Sequence, residues 1–209
     1  MFNSRRSNTE DNKLVITDFV WPDIPGIQKT VEGFRAEMAG EKEEHLIAIN
    51  SAGKIEAENV GTCSSVEVPE AARGHFLVHT HPEVAAPLSI MDVCCVSSFD
   101  CLGNMAVCDD GTISWTSGLK DRTPHMINSM CEFMDDGSVR SFGIALALMG
   151  GKDVGSIAGS WYFLDFFLKN GTLKDLHVLS GDSEDAKNGR SLIHGFMGVA
   201  YPTNFSART

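Results

Sequence analysis

Residues 75–92 read HFLVHTHPEVAAPLSIMD: an apolar strand pattern that runs through two histidines into a proline-broken loop and then into a helix start. Side chains on a strand alternate between its faces, so His79 and His81, two apart, share one face and can turn both imidazoles toward a single point. The loop over 82–88 can fold back, and Asp92 then sits in the first turn of the helix opened by Ser89, with its carboxylate directed at the histidines. Two imidazoles and one carboxylate form the three-ligand shell of a catalytic zinc site, which leaves a fourth position for water, unlike a closed structural site. Ser89-x-x-Asp92 is also a helix-capping pattern, with the hydroxyl accepting from backbone N–H groups and the acid favoured by the helix dipole. Capping is compatible with Asp92 as a ligand and competes only with a chemical role for Ser89.

Upstream, Ile27, Val31, Phe34 and Met38 recur at steps of three and four, the stripe of an amphipathic helix that Gly40 should end. Residues 45–50 (HLIAIN), a turn at Ser51-Ala52-Gly53, a strand over Lys54–Val60 and a further stretch around Val66–Pro69 form a hairpin or meander pattern. Downstream of the histidines, Ser89–Leu102 is apolar enough for a core-facing helix, and Asn104–Cys108 pairs with Thr112–Thr116 around Asp109-Asp110-Gly111. Strands, helix, then strands imply an α/β fold with a mixed sheet flanked by helices. Residues 1–12 read as a flexible tail and Lys13–Val20 as a short strand, so the core domain spans 13–118. Residues 119–209 form a mainly helical C-terminal extension, with helical patterns over Thr123–Met134, Val139–Met149 and Val154–Leu168 and a strand over Leu173–Leu179.

Composition bounds the function. The 209 residues carry 17 Lys+Arg against 28 Asp+Glu, a net charge of −11, which repels a phosphate backbone and argues against nucleic acid as a partner. The 6 cysteines show no disulfide or zinc-knuckle spacing and read as reduced, mostly buried thiols, with Cys63 near the proposed site and the one to probe. Residues 1–12 lead into no signal-peptide stretch, and the most apolar segment, Phe142–Leu168, is broken by Lys152-Asp153 below the ~20 residues a spanning helix needs. A cytoplasmic protein without a membrane span is expected. His45, His75, His125, His177 and His194 are scattered and receive no role, and the aromatic cluster Trp161-Tyr162-Phe163 with Phe166-Phe167 reads as core.

A zinc-bound water has a pKa near ~7, but a separate group must still take and deliver its proton. Glu44 stands immediately before the 45–49 strand, where its side chain can reach a site at the end of a neighbouring strand. Glu41 and Glu43 lie in the same acidic run and read as a solvated turn, although spacing alone does not decide which of the three is the base. Ser89 would donate a hydrogen bond to the oxyanion formed when hydroxide attacks a carbonyl.

These residues resemble the JAB/MPN-type metallopeptidases bearing the JAMM motif, whose pattern is Glu, then His-x-His, seven residues, Ser, two residues, Asp; His79, His81, Ser89 and Asp92 match it without a gap. From this chain's own frequencies, those four positions coincide by chance on the order of once in a thousand such chains. A glutamate opening a strand, with Gly61-Thr62 preceding the histidines, also looks like the RadC-like branch of the family. The likeness covers roughly 40–118. It implies a cytidine-deaminase-like mixed sheet, Zn2+ held by His79, His81 and Asp92, Glu44 as general acid/base and Ser89 at the oxyanion. It also implies cleavage of a peptide or isopeptide bond, after the C-terminal tail of a ubiquitin-like protein or a comparable extended peptide, and a protein partner or homo-oligomer. His-Thr-His-Pro here, in place of His-Asn-His-Pro followed by Ser-Gly, favours a peptidase over a close RadC relative. The alternatives are a RadC-like role in DNA metabolism, which the acidic charge opposes, and a non-catalytic MPN scaffold, which the full ligand set opposes. A base deaminase would need a His-x-Glu together with a Pro-Cys-x-x-Cys signature, and this chain has no Pro-Cys-x-x-Cys.

Overall fold

The computed structural model describes residues 19–82, 86–123, 125, 128, 132, 144, 145, 147–179, 181–189, 191 and 192. The tail over 1–12, the strand reading up to residue 18, and most of the helical readings over Thr123–Met134 and Val139–Met149 lie outside the described residues.

The apolar runs become strands. β1 (His45–Ile49), β2 (Ile55–Val60), β3 (Phe76–His81), β4 (Gly103–Cys108), β5 (Ile113–Thr116) and β6 (His177–Leu179) form one six-stranded sheet in the order β2-β1-β3-β4-β5-β6. Of these, β1, β3, β4 and β5 are buried on both faces, while the edge strand β2 is largely exposed. β3 and β4 run parallel, because α2 (Ile90–Ser98) carries the chain across between them; the other neighbours are antiparallel. Alternation sorts the side chains into two layers. On one face Ile47, Ile49, Phe76, Val78, Met105, Val107, Ile113 and Trp115 pack against Ile27, Val31 and Phe34 of α1 (Ile27–Glu37), the stripe expected from the sequence. On the other, α2 and α3 (Lys152–Lys169) cover the sheet, with Leu88, Ile90, Val93, Cys94, Ala106, Leu119, Phe163, Leu164, Phe167, Leu173 and Leu176 in one cluster. The chain beyond residue 118 therefore shares the core, through α3 and through β6 at the sheet edge. No described helix is long and apolar enough to cross a membrane.

The differences from the sequence reading have local causes. β3 continues to His81, two residues past the expected apolar stretch, because Thr80 and His81 pair in register with Val107 and Cys108 of β4. The stretch around Val66–Pro69 is a loop: Thr62 N–H closes a turn on the Ser65 carbonyl, the Asn59 amide takes the Glu67 carbonyl, and Pro69 has no N–H for a ladder. α2 stops at Ser98, short of Leu102, where Phe99 caps it, Asp100 turns left-handed at φ 54° and Cys101 N–H returns to the Val96 carbonyl. Over Leu173–Leu179 only the last three residues join the sheet. There the Asp175 carboxylate instead ties Ser117 and Thr116, and Leu173 makes an isolated bridge to Leu119.

Candidate metal centre

At the C-terminal end of β3, on the α2 face, His79 and His81 meet Asp92 from the first turn of α2, at the strand-to-helix crossover where ligands commonly sit in open α/β sheets. The His79 and His81 Nε2 atoms are 3.0 Å apart, and the Asp92 oxygens lie 3.3 Å from His79 Nε2 and 3.7 Å from His81 Nε2. One ligand atom from each residue falls within 4.8 Å of the others, so the three can hold a metal ion.

The outer ring nitrogens explain why these inner atoms are free for an ion. His81 Nδ1 lies 3.0 Å from the Ala86 carbonyl oxygen, which can only accept, so Nδ1 carries the proton. His79 Nδ1 lies 3.1 Å from Asn104 Oδ1, another acceptor. With both protons on Nδ1, two neutral rings aim bare Nε2 lone pairs at each other and at a carboxylate. That arrangement repels itself unless a cation, a proton or a metal ion, stands between. The loop carrying Ala86 is itself pinned, since Leu88 N–H donates to the buried Ser114 hydroxyl at 2.8 Å.

Asp92 is positioned by the cap of its own helix. Ser89 N–H donates to Asp92 Oδ2 at 2.6 Å and Asp92 N–H donates to Ser89 Oγ at 3.2 Å, the reciprocal pair of a capping box. Burial opposes the charge of Asp92, but the charge and hydrogen bond of His79, with those of His81, outweigh it and hold the carboxyl well below the usual carboxylate range. Burial likewise opposes a charged His81, and is outweighed by hydrogen bonds to Asp92 and Cys108 and by the Asp92 charge, so the imidazole is held well above its ordinary value.

Glu44 lies just before β1. Glu44 N–H donates to the Thr62 carbonyl and its own carbonyl accepts from Gly61, while His45 N–H donates to Thr80 Oγ1. Leu46 pairs with His79, and the same antiparallel register carried two residues back brings Glu44 opposite His81, on the same face. The side chain is buried, and burial raises its pKa; His79 and His81 pull it down again and Asp92 adds to the rise, so its carboxyl senses all three candidate ligands. Glu41 and Glu43 are exposed. Ser89 accepts from Asp92 through its hydroxyl oxygen, which still has a proton to donate. Cys63 is exposed on the loop after β2.

The sequence reading missed Asn104, Ala86 and Cys108, which partner the histidines, and Ser114, which pins the loop at Leu88. A signal was present: Asn104, Ser114 and Thr116 are buried polar residues on the inner positions of otherwise apolar strands, where such groups need specific partners. Compared with known proteins, the chain matches no family profile, no curated protein and no solved structure.

Proposed function

We propose that the protein is a zinc-dependent hydrolase of the JAMM type, cleaving a peptide or isopeptide bond after the C-terminal tail of a ubiquitin-like protein or a comparable extended peptide. The observation that carries this reading is the convergence of His79 Nε2, His81 Nε2 and the Asp92 carboxylate within 4.8 Å, beside a buried glutamate that feels their charge. Two imidazoles with a single carboxylate suit zinc better than magnesium or calcium, which prefer all-oxygen shells. When bound, zinc supplies a water acidic near neutral pH and a Lewis acid for the scissile carbonyl.

The chain's own residues do the rest. His79, His81 and Asp92 would hold the ion, each side chain oriented by its Nδ1 bond or by the capping box. Glu44, with its proton affinity raised by burial, takes a proton from the attacking water as the new C–O bond forms, and returns it to the amide nitrogen as the C–N bond breaks. The Ser89 hydroxyl donates to the oxygen on which negative charge develops. The sheet with its β3–α2–β4 crossover is read as a JAB/MPN-type core, in a cytoplasmic protein, with a protein partner or second copy as assembly options. A role on DNA is disfavoured by the net charge of −11, and a metal-free scaffold by the presence together of all three candidate ligands and of Glu44 beside them.

The test is a cleavage screen of zinc-loaded protein against fusions to ubiquitin-like tails. Cleavage abolished in Glu44→Gln with zinc content unchanged supports the reading; no cleavage of any tail, together with salt-sensitive DNA binding, overturns it.

A further inference from the structure

Asn104 is 2% exposed in β4, a strand whose other residues are glycine or apolar. Asparagine is depleted in strands, and a buried amide costs free energy unless its hydrogen bonds are made. Both ends of this amide are spent on the metal centre. Asn104 Nδ2 donates to the Asp92 main-chain carbonyl at 3.0 Å, and Asn104 Oδ1 faces His79 Nδ1 at 3.1 Å. A main-chain carbonyl only accepts, so the NH2 end must point at Asp92; Oδ1 is then left for His79, whose Nδ1 must carry the proton. The choice of tautomer on the strand ligand is thereby tied to the position of the helix that brings the carboxylate ligand. The neighbouring positions support the same geometry. In the parallel register Ala106 lies opposite His79 and Cys108 opposite His81, so a small side chain makes room for the first ring while Asn104 and Cys108 flank the pair on the same face.

We propose that Asn104 is a positioning residue of this centre: its amide oxygen orients the His79 ring for metal binding, and its bond to the Asp92 carbonyl serves to turn that oxygen toward the ring. The inference rests on the reading of His79, His81 and Asp92 as metal ligands. It differs from a generic tie between β4 and α2 in what each end of the amide does, and two substitutions separate the ends. Asn104→Ala removes both bonds. Asn104→Asp keeps an acceptor for the His79 Nδ1 proton, loses the donor to Asp92, and sets a carboxylate against a carbonyl.

Zinc affinity is measured by competition with a chromophoric chelator, and the His79 Nδ1 proton is followed by 15N–1H correlation in zinc-loaded protein. Loss of an outer-shell partner typically weakens metal binding ~10- to 100-fold, and that loss is expected for Asn104→Ala, with the His79 Nδ1 proton exchanging rapidly with solvent. Asn104→Asp should recover most of the affinity and the slow exchange. Wild-type zinc binding with Asn104→Ala equally tight overturns the inference and leaves the metal centre standing, as does Asn104→Asp proving as damaging as Asn104→Ala, the outcome a purely structural tie requires. Wild-type protein that takes up no zinc overturns both. Should Asn104→Ala fail to fold, a protected His79 Nδ1 proton in the wild type that survives in Asn104→Asp supports the inference, and free exchange in the wild type refutes it.

Discussion

The two Nε2 atoms and the Asp92 carboxylate face one another, and this gives the metal-free protein a defined dependence on pH. His81 is held well above its ordinary value of 6.5, so its contribution to stability is complete below that value and is lost as pH rises through the higher folded pKa. Asp92 is held well below 3.8, so its contribution is complete above that value and is lost as pH falls through the lower folded pKa. In the presence of a chelator, urea unfolding should therefore show greatest stability between the two ordinary values and a decline on the alkaline side. A zinc ion bound by His79, His81 and Asp92 would take the place of that proton, so the stabilisation it adds should grow with pH over the same range. Chelator-treated protein of constant stability from about pH 6 to 9 would count against the shared cation. The convergence of His79, His81 and Asp92 was legible in the sequence, because a strand period of two and a helix start three residues before Asp92 bring them to one point. Asn104 and the Ala86 carbonyl were not, since a polar residue on a strand declares neither its face nor its partner until the register is known.

At the scale of the elements, two short segments carry the candidate catalytic groups. Ser89 both caps α2 and is proposed to assist the oxyanion, and the roles separate by substitution. Ser89→Ala should cost ~1 kcal/mol of stability and Ser89→Gly only a few tenths. Neither has a hydroxyl, so both should lose ~10²–10³ in kcat; a fully active Ser89→Gly would leave Ser89 as a cap alone. Glu44 depends on the turn after β2. A Cβ at Gly61 would collide with the Ser65 carbonyl oxygen and come within 2.6 Å of Val66 Cα, and Gly61 and Thr62 are the residues that bond the Glu44 backbone. Gly61→Ala should lower kcat while leaving zinc stoichiometry unchanged; a variant with wild-type kcat would show that this turn does not position the glutamate. The hairpins and both flanking helices of the core were readable from periodicity. The loop over 66–69 was not, because Val66 and Val68 look like a strand when the claims of the Asn59 side chain and Pro69 are unseen.

For the whole molecule, residues past 118 complete the core that holds the centre. Phe163, Leu164 and Phe167 of α3, with Leu119, Leu173 and Leu176, pack on Leu88, Ile90 and Val93, which flank Ser89 and Asp92. Periodicity revealed α3 but not its destination, since an apolar helical stripe does not name the surface it covers. Each buried Leu or Phe stabilises by ~1.5–3 kcal/mol, so the loss of six of them is as large as the ~5–15 kcal/mol by which a domain is stable. A fragment ending at residue 118 should show no cooperative unfolding transition, and a sharp melt would make the later residues dispensable. The most direct test of the central claim is elemental analysis after equilibrium dialysis against zinc. About one zinc per chain is expected in the wild type and in Glu44→Gln, and none in His79→Ala or Asp92→Asn. Wild-type protein without zinc, or zinc retained after both ligand substitutions, would contradict it.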